Sequence, residues 1–211
     1  GLRQRQLGNQ PHPLRRRRRH GRPDAQQCGS RDHWRTCRRG ATGEPVVGGQ
    51  LAASPGTWSP QGSYTFQWLA DGTAIGGANG STHVLTTGEW KKQISVRVTG
   101  SRTGYMPASA ISEQTPAVAS GTIANTRRPT VRGKKRIGRT LTASPGSWSP
   151  DGLTLRYRWM RDGKAIKGAT KRRYKLTKAN WGHRISVQVT AMRDAYNSAS
   201  SRSARTKRIT R

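Results

Sequence analysis

Hydrophobic and polar positions alternate along this chain in short runs. In "YTFQW", residues 64–68, Tyr64, Phe66 and Trp68 alternate with Thr65 and Gln67, and in "LRYRW", residues 155–159, Leu155, Tyr157 and Trp159 alternate with Arg156 and Arg158. "ISVRV" places Ile94, Val96 and Val98 on one face, and "ISVQV" does the same with Ile185, Val187 and Val189. A period of two over runs this short predicts half-buried strands, with Trp68 and Trp159 as central core residues. Asp71-Gly72 and Asp162-Gly163 follow the first strand of each kind and supply the positive φ that a two-residue hairpin turn demands. No helix of useful length is predicted. No stretch approaches the eighteen apolar residues needed to cross a bilayer as a helix.

The pattern occurs twice. "GGQLAASPGTWSP" at 48–60 returns as "GRTLTASPGSWSP" at 138–150, and "WLADGTAIGGA" at 68–78 returns as "WMRDGKAIKGA" at 159–169. "LTTGEWKKQISVRVTG" at 85–100 then matches "LTKANWGHRISVQVTA" at 176–191. Self-similarity at a period of 90 to 91 residues divides the chain into a basic segment, 1–40, a first repeat, 41–119, a linker, 120–128, and a second repeat, 129–211. Short strands separated by turns at this module length predict an all-β fold of two tandem sandwiches, each of two packed antiparallel sheets.

The ordered motifs "LTASPGSWSP", "YRWMRDGKAIKGAT", "YKLTKANWGHRISVQVTA" and "AYNSAS" resemble the Ig-like repeats found in tandem near the C-termini of secreted and surface proteins of high-GC Gram-positive bacteria. The resemblance covers roughly residues 41–211. It implies two Ig-like sandwiches that are noncatalytic, serve as spacers or adhesive modules and sit outside the cell or on its surface, often appended to a hydrolase. The chain begins at Gly1 without Met and is expected to be the tail of a longer protein with a catalytic or adhesive domain upstream. Unlike antibody domains, neither repeat has a cysteine pair around its central tryptophan, so each core is expected to hold without a disulfide.

Charge separates the two copies. The chain carries 40 Lys+Arg against 9 Asp+Glu, a formal +31. Residues 41–125 contain 4 of each sign, whereas residues 126–211 contain 24 basic and 3 acidic side chains. Arg156 and Arg158 alternate with core positions and are expected to face outward, as are Arg173 and Lys175 around Tyr174 and Leu176. Arg161, Lys164, Lys167, Lys171 and Arg172 crowd the adjoining turns. A cationic surface this dense predicts a polyanionic partner, and for a Gram-positive surface protein the nearest is an anionic cell-wall polymer such as teichoic acid. Two alternatives come from other classes: a basic nucleic-acid-binding protein, and the accessory region of a secreted hydrolase. Sequence-specific readout lacks a motif, since no zinc-finger, homeodomain or RNA-recognition pattern is present.

Residues 1–40 hold 12 basic and 2 acidic side chains, with five consecutive arginines at 15–19. Reading "SRDHWRT", residues 30–36, from the third base of each codon permits a small-residue segment with Asn in the register of Asn125, one period earlier. Arginine runs in that frame become Ala, Pro, Ser or Thr. The segment is therefore read either as a polyanion-binding tail or as the frame-shifted end of a preceding repeat. Cys28, His33 and Cys37 offer three ligands spaced C-x4-H-x3-C, one short of a structural zinc site, and the cysteines could equally form a disulfide; no role is assigned to them.

The catalytic inventory is poor. His83 occupies the position of Tyr174, a half-buried strand site, and His183 aligns with Lys92 at an exposed corner. Asp71 and Asp162 are turn formers, Glu89 is replaced by Asn180, and no Ser/His/Asp, HExxH or phosphate-loop pattern occurs. No catalytic residue, cofactor or metal is expected. Trp58, Trp90, Trp148 and Trp181 lie in or beside turns, where recurrence in both copies favours packing over sugar stacking.

Overall fold

The computed structural model describes residues 41–211. The arginine run, Cys28, His33, Cys37 and the shifted-frame reading of residues 30–36 lie outside the described residues.

In the first module, β1 (Gln50–Ala52), β2 (Ser63–Ala70), β3 (Thr73–Ala74), β4 (Thr82–Val84), β5 (Ile94–Ser101) and β6 (Ala108–Ile111) form two facing sheets. One is four-stranded in the order β3-β2-β5-β6, and the other pairs β1 with β4 and adds a bridge from Thr42 to Ala52. The register sets Phe66 opposite Val98 and Trp68 opposite Val96, so the alternating apolar positions of neighbouring strands share the inner face. Leu51, Trp68, Leu85, Ile94, Val96 and Val118 fill the space between the sheets. Asp71 and Gly72 adopt φ of 47° and 80°, as a type I′ turn requires.

The second module repeats this plan with β9 (Thr130–Arg132), β10 (Thr140–Ser144), β12 (Thr154–Arg161), β13 (Lys164–Ala165), β14 (Arg173–Lys175), β15 (Ile185–Met192) and β17 (Ala199–Arg202), alongside the short strands β7 (Gly121–Thr122), β8 (Ala124–Arg127), β11 (Ser147–Ser149) and β16 (Tyr196–Asn197). Its four-stranded sheet has the order β13-β12-β15-β17, and its three-stranded sheet has β14-β10-β9. Leu141, Trp159, Ile185, Val187 and Ile209 form the core, and Val189 is also fully buried. Each module's end is closed by a parallel bridge, Val46 to Ala119 in the first and Arg136 to Thr210 in the second. Two-sheet antiparallel sandwiches with this strand order are Ig-like, and the chain is all-β with two of them in tandem.

Each central tryptophan does the work expected of a core without a disulfide. Trp68 Nε1 donates to the carbonyl of Gly80 at 2.9 Å, and Trp159 Nε1 donates to that of Lys171 at 2.8 Å. Each indole thus fills its core and ties down the residue that leads into the next strand.

The segment 120–128, read from sequence as a linker, is structured. Strand β8 pairs antiparallel with β11, and β7 pairs in parallel with β16. Gly121 N also donates to the carbonyl of Ala195 at 2.9 Å. Ala195 and Tyr196, from the second module, join the core cluster of the first. The physical reason lies at Gly121, where a Cβ would collide with the Tyr196 ring.

Candidate polyanion-binding surface

The cations of the second module fall into three groups. Arg156 and Arg158 are exposed on the outer face of the four-stranded sheet, because Tyr157 and Trp159 point inward between them. Opposite them stand Thr190 and Gln188, and Gln188 is followed across the sheet by Arg202, whose Nε donates to Gln188 Oε1 at 3.0 Å. The row Arg158–Gln188–Arg202 therefore runs across three strands.

The second group lies on the opposite side of the sandwich. Arg173 and Lys175 flank the inward-pointing Tyr174, whose ring stacks on Trp159 at 5.5 Å. They face out from the three-stranded sheet, where Arg173 and Arg132 both sit opposite Thr142. Along the edge where the chain passes from β13 to β14, a shallow recess of about 270 Å³ is lined by Lys167, Lys171, Arg173 and Lys175, with Thr170, Tyr174 and the backbone of Gly168 and Ala169 completing it. No acidic side chain lines it. Lys171 is fixed there by the indole bond to its carbonyl. Four cations around one depression repel one another, and an anion entering it would relieve that repulsion.

The third group braces the fold. Arg161 is half-buried, and its Nη1 donates to the carbonyl of Ala179 at 2.8 Å; Arg172 Nε donates to that of Ala143 at 3.1 Å. Lys164 is exposed on the edge strand β13, across from Arg161. The cations grouped together in sequence are thus not one surface. Only Lys167, Lys171, Arg173 and Lys175 meet in a single recess.

The corresponding positions of the first module carry different chemistry. Positions 68–85 align without a gap to 159–176, and Gly76, Gly80, Thr82 and Val84 stand where Lys167, Lys171, Arg173 and Lys175 stand in the second.

The residues weighed for catalysis have other roles. Asp71 Oδ1 accepts from the amide of Gln93 at 2.9 Å, and Asp162 Oδ1 accepts from that of Arg184 at 2.8 Å, so each aspartate clamps its turn to the start of the following long strand. Asp162 Oδ2 also meets His183 Nδ1 at 2.5 Å, a pairing with no local sequence signal. The Arg184 amide, followed by the His183 hydrogen bond, holds the Asp162 carboxyl below the usual aspartate range. His83 is half-buried in β4 beside Trp68, as its equivalence to Tyr174 predicts. Glu89 and Asn180 are both buried and accept from the backbone amides of Thr86 and Thr177, which cap the 3-10 turns Thr87–Glu89 and Lys178–Asn180.

Trp58 is buried and Trp148 half-buried, and each indole donates to the proline carbonyl three residues earlier, at 2.6 and 2.9 Å. Trp90 and Trp181 are more exposed and carry Lys91 and Arg211 over their rings at 4.3 and 4.4 Å. The cations that the alternation did not single out, Arg202 and Arg132, sit in short strands where a lone basic residue gives no pattern. Continuing the period of two through "ASSR" would have placed Arg202.

These features define a tandem of Ig-like modules, one neutral and one cationic. No protein-family model matches the chain, and no curated protein sequence matches it. Among solved structures it is similar to the amphioxus IgVJ-C2 molecule, with 16% identity, a TM-score of 0.33, and coverage of 72% of this chain and 90% of that one. The tandem Ig repeats of Dlar match with 12% identity, a TM-score of 0.24, and 79% and 91% coverage. The fibronectin(III)-like modules of Clostridium thermocellum CbhA match with 16% identity, a TM-score of 0.24, and 77% and 92% coverage. The Ig-like assignment rests on strand order and register within each module.

Proposed function

We propose that this chain is a noncatalytic Ig-like repeat region of an extracellular or cell-surface protein, in which the first module is a spacer and the second holds an anionic cell-wall polymer. The observation that carries this reading is the recess lined by Lys167, Lys171, Arg173 and Lys175, which has no acidic lining and whose counterpart in the first module has no cation. A repeated fold needs no such replacement for stability. Like charges brought together oppose folding, so their concentration in one copy points to a ligand that neutralises them.

Polymer attachment of this kind releases counterions and weakens as salt rises, by about 0.7 to 0.9 units of log K per log unit of salt for each contact in the well-measured nucleic-acid case. The test compares the full chain with two charge-reversed forms in co-sedimentation with purified Gram-positive walls. Reversing Lys167, Lys171, Arg173 and Lys175 to Glu is expected to lower attachment and flatten its salt dependence; reversing Arg156 and Arg158, on the opposite face, is expected to do less. Equal loss from both would replace the recess with diffuse attraction. Undiminished binding to walls stripped of anionic polymer would overturn the reading, and salt-resistant binding to one nucleic-acid sequence would replace the partner.

A further inference from the structure

The seam between the two modules opens on one side into a groove of about 700 Å³, within the about 300 to 1,000 Å³ of small-ligand sites. Both modules build it. The first contributes Thr87, at the start of the turn Thr87–Glu89, and the second contributes Thr154 and Arg156 from β12 together with Asp194, Asn197 and Ser198 from the segment after β15. Backbone contacts fix the seam. Gly121 N donates to the Ala195 carbonyl at 2.9 Å, Asn197 pairs with Thr122, and Tyr196 seats against Gly121. Arg193 braces the same segment, with its guanidinium over the Tyr196 ring at 5.0 Å and its Nη1 donating to the Asp151 carbonyl at 2.8 Å. The walls are therefore in place before a ligand arrives, which lowers the ordering cost of binding.

The lining names the chemistry. Arg156 and Asp194 carry opposite charges, and neither side chain has a hydrogen-bond or ion-pair partner among the described residues; nor do the side chains of Thr87, Thr154, Asn197 and Ser198. With Arg193 committed to the Asp151 carbonyl, the groove offers one free guanidinium against one carboxylate, where the recess of the second module has four cations and no acid. An anionic polymer gains little from such a balance. A carboxylate, a guanidinium and a primary amide are planar groups with paired acceptors or donors, and a threonine or serine hydroxyl gives or takes a bond as needed. This is the set that neighbouring hydroxyls on a sugar ring satisfy. Met192, half-buried in the same groove, supplies an adaptable apolar contact for the ring's C–H groups. The Tyr196 ring is held between Gly121 and Arg193, so hydrogen bonds rather than aromatic stacking would hold the ligand.

We propose that this groove binds a neutral oligosaccharide, gripped by both modules at once. It lies apart from the cationic recess, since Arg156 leaves the sandwich through the four-stranded sheet and Arg173 through the other. Its affinity rests on uncharged partners and is insensitive to salt, unlike attachment at the recess.

The test is a titration of the full chain, followed amide by amide by heteronuclear NMR, with uncharged tetrasaccharides of glucose, mannose, galactose and N-acetylglucosamine and, separately, with inorganic polyphosphate. At least one sugar is expected to move the amides of Thr87, Asp194, Asn197 and Ser198 together, equally at low and high salt. Asp194→Ala should weaken that sugar's binding by about tenfold or more, and Ser198→Trp, which fills the groove, should abolish it; the same spectra report whether each variant is folded. Gly121→Ala, which unseats Tyr196 as hydroxyl-radical footprinting of that tyrosine reads out, should weaken binding by separating Thr87 from the other wall. The proposal is overturned if no sugar moves these amides, if the shifts gather instead around Trp90 or Trp181, or if binding survives Asp194→Ala and Ser198→Trp unchanged. Polyphosphate moving the same amides in a salt-sensitive way, with the sugars inert, would overturn it in favour of charge attraction. Undiminished sugar binding in Gly121→Ala with Tyr196 unseated would overturn the two-module grip.

Discussion

Replacing Trp159 separates two contributions that the structure joins in one side chain. Its indole is fully buried, stacks on Tyr174, and donates to the Lys171 carbonyl at 2.8 Å. Emptying a site of this size costs about 3 to 5 kcal/mol. A carbonyl left without its donor adds about 1 to 3 kcal/mol. Trp159→Ala is therefore expected to cost about 4 to 8 kcal/mol, against a whole-domain stability of about 5 to 15. Trp159→Phe keeps most of the packing but removes the donor, and is expected to cost about 1 to 3 kcal/mol.

Urea unfolding followed by far-ultraviolet circular dichroism resolves these values. With a slope of about 1 to 3 kcal/mol per molar, the alanine variant should move the second module's midpoint by more than about 1 M. The phenylalanine variant carries the functional consequence, because the lost bond fixes Lys171 at the recess. Its attachment to anionic polymer should fall although the module remains folded. If Trp159→Phe matches the native chain in both stability and attachment, the indole bond does not position the recess. An alanine variant within about 1 kcal/mol of native would contradict the cavity cost itself.

Three further outcomes follow from particular contacts. Gly121→Ala drives a Cβ into the Tyr196 ring and the Val47 carbonyl, so it should cost about 1 to 3 kcal/mol, raise Tyr196 reactivity and uncouple the two unfolding transitions. The depressed Asp162 carboxyl contributes stability that is present above the ordinary aspartate pKa and lost as pH falls through its lower folded value. Asp162→Asn should therefore lower the second module's melting point at neutral pH and converge with native in strong acid, and equal melting at pH 7 would remove the clamp. His83 Nε2 is buried without a hydrogen bond, whereas Tyr174 donates to Asn180 Oδ1 at 3.1 Å. Copying that pair as His83→Tyr with Glu89→Asn should stabilise the first module by about 1 kcal/mol, more than the two single changes together.

What the sequence made legible was whatever a period of two encodes. The inward sets around Trp68 and Trp159 and the outward placing of Arg156 and Arg158 all follow from alternation along one strand. The Asp-Gly turns follow from the backbone freedom of a single residue type. Alternation does not say which sheet a strand joins. Arg156 and Arg173 carry the same pattern, yet β12 belongs to the four-stranded sheet and β14 to the other, so their side chains leave the sandwich in opposite directions. The structured connector was hidden for a related reason. "GTIANTR" offers one large apolar residue, the buried Ile123, too little to show as an alternating run, and β7 and β8 are held besides by backbone pairing and by the close approach at Gly121. The Asp162–His183 contact joins residues 21 apart, and the first copy keeps the aspartate as Asp71 but has Lys92 in the place of His183.

The two copies show which parts of an Ig-like module are constrained and which are available for chemistry. Between positions 68–85 and 159–176 the tryptophan, the Asp-Gly turn, the isoleucine after it and the closing leucine are unchanged, and each has a packing or backbone duty. The residues that differ include Lys167, Lys171, Arg173 and Lys175, all of them exposed. Arg161 and Arg172 lie between these classes: they are new in the second copy, yet each guanidinium is committed to a backbone carbonyl. Those two bonds connect the turns on either side of the recess to Ala179 and to β10. Part of the added charge thus fixes the frame that holds the rest in place, and this is how a fold that is neutral in one copy can present a dense cationic face in the next without a larger core.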